Sequence, residues 1–201
     1  MIQSLTATTR EIEDARAAIA EITSALNLEK NLLKNSLGII SCFSEFEETG
    51  VLQAVREALP FDCIGATTCL CATGQEIDQI IFVITVLTSD DCDFQTTAIP
   101  ITEKYEDAIN SSILASMKQS DVPPALLLGY FPLTNINIIG VDTVLAAIDR
   151  ATGGIPLFGT VAIDHHADYS TAKTIRGIPL NCASVFLRIS PHLTVYSRWI
   201  C

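Results

Sequence analysis

Positive charge is scarce in this sequence. Its 201 residues include 12 Lys+Arg against 23 Asp+Glu, so the formal net charge is −11. Non-specific binding to nucleic acid and docking on anionic membranes both need a cationic surface, and the composition argues against both kinds of partner. Charged residues make up only 17% of the chain and hydrophobic residues 49%. Such a chain is too apolar to be disordered and must bury a core.

Long apolar runs are also missing. A membrane-spanning helix needs about 18 or more apolar residues in succession. The longest charge-free run, residues 122–141, is interrupted by Pro123, Pro124 and Pro132. The N-terminus lacks the basic segment and apolar segment of a secretory signal. We therefore expect a cytoplasmic protein without membrane contact, whose seven cysteines are reduced.

Familiar enzyme signatures are absent as well. The sequence contains no G-x-x-x-x-G-K-[ST], no G-x-G-x-x-G and no G-x-S-x-G. Cys63, Cys69 and Cys71 have the spacing C-x5-C-x-C, which matches neither a structural zinc site nor a redox C-x-x-C pair. These absences leave no support for a nucleotide-binding loop or a nucleophile elbow, and no resident cofactor is expected.

Helices and strands are predicted to alternate along the chain. Apolar residues at helical spacing predict helices over residues 9–26, 51–58, 103–119 and 142–151. Runs rich in Ile, Val and Leu predict strands over residues 37–43, 61–68, 77–88, 125–131 and 155–163. Two hairpins and an edge strand complete the prediction: 94–101 paired with 77–88, 171–178 paired with 182–189, and 192–199 at an edge.

Corresponding elements recur at similar offsets in the two halves of the chain. Gly65 and Gly159, which lie 94 positions apart, each belong to an apolar strand. A duplication would produce this pattern, although alternating α/β sequences also resemble one another without one. The predicted fold class is α/β (mixed α+β), with two similar α-β-α-β-β-β halves, residues 9–101 and 103–199, whose mixed sheets are covered by helices. Both belong to a single domain over residues 1–201, and the groove between them is the expected ligand site.

An apolar strand is followed by three side chains that can bind metal ions. Asp164, His165 and His166 follow the strand at 155–163, and open α/β sheets place their sites at such ends. This tripeptide resembles the signature of the DHH phosphoesterases, which use paired Mn²⁺ ions. Asp142 is the only fair match to a further aspartate of that family, and its N-terminal Asp-x-Asp element is missing. A solvated polar loop is the alternative interpretation.

A set of ordered motifs resembles the N-terminal FIST sensory domain. The motifs are Phe61-Asp-Cys-Ile-Gly65-Ala-Thr-Thr68, Gly74-Gln-Glu76-Ile, Val86-Leu-Thr-Ser89 and Ile155-Pro-Leu-Phe-Gly159-Thr-Val-Ala162. A closing hairpin and a small-residue strand extend the likeness over roughly residues 9–199. This chain departs from the family at residues 69–73, which precede Gly74, and at Thr160, where the family often has a second glycine.

The resemblance implies a non-enzymatic intracellular input domain of signal transduction that senses a small molecule, with an amino acid or similar metabolite proposed as the ligand. Such domains work with a C-terminal FIST-type domain or a signalling output module. Because the sequence ends at Cys201 without one, we expect either a fragment of a longer protein or signalling by docking. Haem binding, described in the family, would make His165 or His166 an iron ligand.

Ligand-binding residues are predicted at the strand ends of these motifs. The two glycines permit close approach of a ligand to the backbone, unless they serve only turns or packing. Threonine hydroxyls would add polar contacts, and a carboxylate would receive an amino group, whereas no nearby arginine is available for a carboxylate. The predicted set is Gly65, Thr67, Thr68, Glu76, Gly159, Thr160 and Asp164.

The first predicted helix supports a third hypothesis, a docking module that forms homodimers. Ile12, Ile19 and Leu26 repeat at heptad spacing. A heptad pattern this short is more typical of a helix packed on a sheet than of a coiled coil.

Overall fold

The computed structural model describes residues 2–74, 77–100, 105–118, 124–131, 141–166, 172–176 and 183–189. The helices in these ranges are α1 Ala15–Leu26, α2 Leu28–Asn31, α3 Glu45–Glu48, α4 Val51–Ala58, α5 Tyr105–Met117 and α6 Val141–Thr152. The strands are β1 Ile2–Thr9, β2 Asn35–Cys42, β3 Cys63–Thr67, β4 Cys71–Ala72, β5 Ile77–Asp78, β6 Phe82–Ser89, β7 Gln95–Pro100, β8 Leu126–Phe131, β9 Leu157–Val161, β10 Thr174–Arg176 and β11 Ala183–Ile189.

These strands form two larger mixed sheets. The first has the order β1-β6-β2-β3-β10, in which β2 and β3 run parallel and every other pair is antiparallel. The second has the order β7-β11-β8-β9, in which only β8 and β9 run parallel. A small β4-β5 hairpin forms a third sheet. The predicted class, mixed α and β with helix-covered sheets, is confirmed.

Side chains alternate between the two faces of each sheet, and this alternation builds four layers. On β2, Ile40 and Cys42 pack with α1 and α4, whereas Leu37 on the opposite face packs against the second sheet. On β8, Phe131 packs with α5 and α6, whereas Tyr130 faces the first sheet. The order of layers is therefore helices, first sheet, second sheet, helices. Burial in this inter-sheet core raises the pKa of Tyr130 to about 12.

The two sheets share one connectivity. In the first, the chain passes through β1, α1, β2, α4, β3 and then β6, and in the second through β7, α5, β8, α6, β9 and then β11. The resulting strand orders and directions are the same in both, apart from the added β10. In this repeat β7 starts the second unit, although the predicted halves place residues 94–100 in the first. A duplication would produce the correspondence, and common ancestry of the halves stays a prediction.

The first helix begins later than predicted. Asp14 Oδ1 accepts hydrogen bonds from the backbone N–H groups of Arg16 and Ala17, which makes Asp14 the N-cap of α1. Residues 2–9 form β1 instead, paired along its whole length with β6. Thr9, where the predicted helix starts, therefore belongs to a strand, and β-branched residues are favoured there. The prediction for α4 is confirmed at both ends, and α6 extends one residue beyond its prediction at each end.

The predicted strand partners are wrong in both hairpins. β7 pairs with β11 in the second sheet and not with β6, while β10 pairs with β3 in the first sheet and not with β11. The long strand predicted over residues 77–88 is divided into β5 and β6. Local sequence patterns carry no information about which distant strand covers an open edge. The edge strand predicted over 192–199 lies outside the described residues.

Membrane crossing is not a feature of the helices in the described ranges. None of them combines the length and the apolar character that a bilayer requires.

Candidate functional site

Polar side chains from separate parts of the chain meet at the carboxyl ends of the parallel strands β2 and β3. They come from the end of β2 and the following α3, from the end of β3, from the segment after β9 and from the segment before β10. The members of this polar junction are Ser44, Glu47, Thr67, Asp164, His165, His166 and Lys173.

Thr67 is the centre of the polar junction. Its N–H donates to the Lys173 carbonyl at 2.9 Å, and its Oγ1 accepts from the Lys173 N–H at 2.8 Å. Its carbonyl accepts from the Ile163 N–H at 3.1 Å. Thr67 is fully buried, so these bonds replace solvent for its backbone and its hydroxyl. Its role in the described structure is to position the segments around Ile163 and Lys173.

An ion pair joins α3 to the segment before β10. Lys173 Nζ lies 2.8 Å from Glu47 Oε1, and the side chains are only 29% and 16% exposed. Below them, burial, the neighbouring Cys71 and then the Glu47 charge raise the pKa of the Cys42 thiol well above its ordinary value. Cys42 is thus a neutral part of the core, and Lys173 is the cation that balances Glu47.

Three rings form a stack beside this ion pair. The ring centroids of Phe43 and His165 are 4.9 Å apart with an interplanar angle of 25°, and those of His165 and His166 are 4.0 Å apart. Ser44 Oγ lies 3.2 Å from His165 Nδ1, which fixes the orientation of that imidazole. Both histidines are exposed, whereas Phe43 is buried. The stack therefore presents two oriented imidazoles to solvent above an apolar base.

Asp164 places a buried carboxylate next to these imidazoles. It is 5% exposed, and its Oδ1 accepts the His166 N–H at 2.9 Å, which turns the chain after β9. The neighbouring Ala162 N–H donates to the Phe131 carbonyl at 2.6 Å, extending the pairing with β8. Because burying a carboxylate is costly without polar partners, its position is closely determined by the fold.

The two predicted glycines are accounted for by close packing of parallel strands. A Cβ on Gly65 would lie 1.8 Å from the Ile40 carbonyl oxygen, and one on Gly159 would lie 1.7 Å from that of Gly129. Gly65 is buried within the first sheet, whereas Gly159 is exposed on the outer strand of the second. The packing alternative explains both residues, and a contact of either with a ligand stays a prediction.

The remaining predicted residues are dispersed. Thr68 forms a local turn through bonds with Leu70, and its N–H extends the pairing of β3 with β2 by donating to Cys42. Thr160 is exposed on β9, and its hydroxyl donates to the Val161 carbonyl at 3.4 Å. Glu76 lies outside the described residues. The structure thus brings Thr67 and Asp164 together and leaves Thr160 on the outer strand.

The alternative metal site is not assembled in the described residues. Asp142 is exposed in the first turn of α6, while Asp164, His165 and His166 lie in the polar junction. Within the described ranges, no group of three His, Cys, Asp or Glu side chains could hold a metal ion. Among the described residues, the neighbours of His165 are the Ser44 hydroxyl and the rings of Phe43 and His166, and haem binding stays a prediction.

Sequence reasoning missed Ser44, Glu47 and Lys173. Ser44 and His165 are separated by 121 positions, and Glu47 and Lys173 by 126. Ser44 nevertheless shows a related signal, because it is a polar residue two positions after the end of β2, as Thr67 is a polar residue at the end of β3. Lys173 also supplies the cation that the sequence motifs lacked.

The fold described above is that of a mixed α/β domain. The family model of the FIST N domain matches residues 36–198, and the chain belongs to this family. FIST domains are sensory domains of signal transduction. Among solved structures, cyanuric acid hydrolase from A. caulinodans has a TM-score of 0.44 and 8% identity, with 94% of this chain and 71% of that chain covered. That likeness is too weak to carry an argument. No curated protein matches the chain.

Replacing Thr67 by valine is expected to destabilise the protein by about 1–3 kcal/mol. Valine keeps the shape but leaves the partly buried Lys173 N–H without its acceptor, and a donor left unpaired away from solvent costs about this much. Urea unfolding of the full chain measures the change. Thr160→Val, at an exposed threonine, is the matched control and should stay within about 0.5 kcal/mol of the parent. Equal stability of the two variants would show that the Thr67 hydroxyl does not hold the junction.

Proposed function

We propose that this FIST domain is a non-enzymatic sensor that binds a small molecule at the polar junction. The observation that carries the proposal is the convergence of Asp164, His165 and Lys173 at the carboxyl ends of β2 and β3. Ser44 orients His165, the His166 N–H orients Asp164, and Glu47 orients Lys173. Side chains that are already oriented lose less conformational entropy when a ligand binds. An amino acid or similar metabolite suits the junction, since Asp164 can receive an ammonium group and Lys173 a carboxylate.

The position of the junction explains how binding would be transmitted. Thr67 belongs to the first sheet, while Ile163 lies two residues after β9, the outer strand of the second, and the hydrogen bond between them joins the two sheets. A ligand that contacts Asp164 and Lys173 therefore biases the contact between the sheets. A C-terminal FIST-type domain or another signalling output module is the proposed reader of that change. Dimer formation and cytoplasmic location stay predictions.

A metal-dependent phosphoesterase is less well supported. It would need Asp142 close to Asp164, His165 and His166, and the described residues do not group them as metal ligands. The phosphoesterase hypothesis predicts that Mn²⁺ stabilises the protein against melting and that the Mn²⁺-loaded protein hydrolyses phosphodiesters.

Ligand-dependent stabilisation tests the proposed function. Melting of the full chain is measured with the twenty amino acids, common organic acids, haem and Mn²⁺, each over a concentration series. A ligand that binds only the folded state raises the melting temperature in a saturable manner. Lys173→Met should reduce the response to the active compound by at least about threefold in affinity, because it removes the junction cation.

Lys30→Met is the matched control for that variant, since Lys30 is exposed on α2, outside the polar junction. It should respond like the parent. If a compound stabilises Lys173→Met and Lys30→Met equally, its binding site lies outside the polar junction. Chemical turnover of that compound would contradict the non-enzymatic assignment.

A further inference from the structure

A second candidate site lies at the opposite ends of the same strands. A groove of about 500 Å³ is lined by residues 56–57 and 59–63, between the end of α4 and the start of β3. A neighbouring groove of about 290 Å³, which includes residues 32–36, shares Pro60 and Phe61 with it. Both grooves lie at the amino ends of β2 and β3, about 15 Å along the strands from the polar junction.

The cation in the first groove is the Arg56 guanidinium. Arg56 is half-buried, and among the described residues its Nε is shielded from solvent without a hydrogen-bond partner. No carboxylate forms an ion pair with its guanidinium in the part of the chain that the structure describes. In contrast, Arg150 pairs with Glu106 and Lys173 pairs with Glu47. A half-buried guanidinium without a counter-charge is costly, and an anion in the groove would offset that cost.

Two neighbours of Arg56 in the groove, Cys63 and Asp62, determine which negative charges are near its guanidinium. Burial raises the pKa of the Cys63 thiol to about 12, although the nearby Arg56 guanidinium acts in the opposite direction. The thiol therefore stays neutral and supplies no counter-ion to Arg56. Asp62, which also lines the groove, accepts a hydrogen bond from Thr96 Oγ1 at 3.1 Å.

We propose that this groove binds a small organic monocarboxylate, with the carboxylate on the Arg56 guanidinium and the apolar part against Phe61. The planar guanidinium matches a carboxylate through two parallel hydrogen bonds. Asp62 and Glu57 line the same groove, so a second negative charge on the ligand would be repelled. Phe61 lines both grooves and offers the apolar surface that an aliphatic tail needs.

This proposal does not depend on the proposed function. The polar junction contains neither Arg56 nor Phe61, and the ligand chemistry follows from charges of the groove alone. Either site can therefore fail its test while the other passes.

Arginine side-chain NMR on the full chain, labelled with ¹⁵N and ¹³C in arginine, tests the proposal. The Arg56 guanidinium signals are assigned by their loss in Arg56→Lys, and butyrate is titrated into the parent protein. The expected result is a saturable shift of the Arg56 signals with no comparable shift of Arg150, which is exposed and already paired. Equal, non-saturating shifts at both arginines would overturn the proposal, as would a stronger response to phosphate than to butyrate.

A charge variant gives an independent readout. Glu57→Gln removes one negative charge from the groove at an exposed position, while Glu48→Gln removes one from the exposed surface of α3. Glu57→Gln should bind butyrate about threefold more tightly than the parent, and Glu48→Gln should match the parent. Weaker or unchanged binding in Glu57→Gln would contradict a carboxylate seated between these charges.

Discussion

Gly65→Ala is expected to destabilise the fold by about 4 kcal/mol or more. The new Cβ would lie 1.8 Å from the Ile40 carbonyl oxygen and 2.7 Å from its carbonyl carbon. Both atoms belong to the backbone of β2, so no side-chain rotation relieves the clash. The φ angle of Gly65 is +147°, a backbone conformation that residues other than glycine rarely adopt. Separating β2 from β3 is the remaining response, and it would disrupt the central parallel pair.

Chemical unfolding measures this effect against a matched glycine. Gly74→Ala adds the same methyl group where nothing lies within 4 Å, and it should leave stability within about 0.5 kcal/mol of the parent. Gly159→Ala meets a similar backbone oxygen at 1.7 Å, but β9 is the outer strand of its sheet and can move away more easily. We therefore expect Gly159→Ala to lose less stability than Gly65→Ala. Gly65→Ala within 1 kcal/mol of the parent would contradict the strand packing described here.

Asp164→Asn is expected to weaken ligand binding by about 10-fold to 100-fold, which corresponds to about 1.4–2.7 kcal/mol. Asparagine keeps the shape and an oxygen that can accept the His166 N–H, but it removes the buried negative charge. Hydrogen bonds to a charged group are about twice as strong as those between neutral groups, and a buried position limits screening by water. Asp164→Asn should therefore reduce the affinity for the ligand more than it reduces the stability of the fold.

Isothermal titration calorimetry with the compound found by melting measures the Asp164→Asn effect. Asp142→Asn is the matched control, since Asp142 is exposed in the first turn of α6. A sensor at the polar junction predicts normal affinity in Asp142→Asn. Comparable losses in both variants would instead favour the shared metal site of the phosphoesterase hypothesis.

Local sequence patterns predicted the positions of helices and strands better than they predicted which strands pair. Tyr105, Ile109, Ile113 and Met117 recur every four residues, and they form the apolar face of α5 in the structure. β1 was not predicted because its Thr and Ser residues leave few apolar side chains to show a strand: Ile2 packs on one face, and Leu5 and Ala7 pack on the other. The choice of β11 as partner for β7 depends on which sheet edge is open after folding, and no local property of residues 95–100 reports that.

The candidate site was predictable in part from polar residues at or just after the ends of apolar strands. Thr67, the last residue of β3, and Asp164, three residues after β9, were predicted from this position, and both lie in the polar junction. Glu47 and Lys173 were not, because their meeting depends on the packing of α3 against the segment before β10. A glycine in an apolar strand gave an ambiguous signal. Either a ligand or a neighbouring backbone can occupy the missing Cβ position, and for Gly65 it is the backbone of Ile40.

Amide hydrogen exchange with and without the bound compound tests the central claim most directly. If the ligand binds at the polar junction and couples the sheets, the amides of Ile163 and Lys173, which donate to Thr67, should exchange several-fold more slowly in the complex. The Ala54 amide within α4 serves as the internal reference and should change little. Protection confined to other parts of the chain, with Ile163 and Lys173 unchanged, would contradict the account.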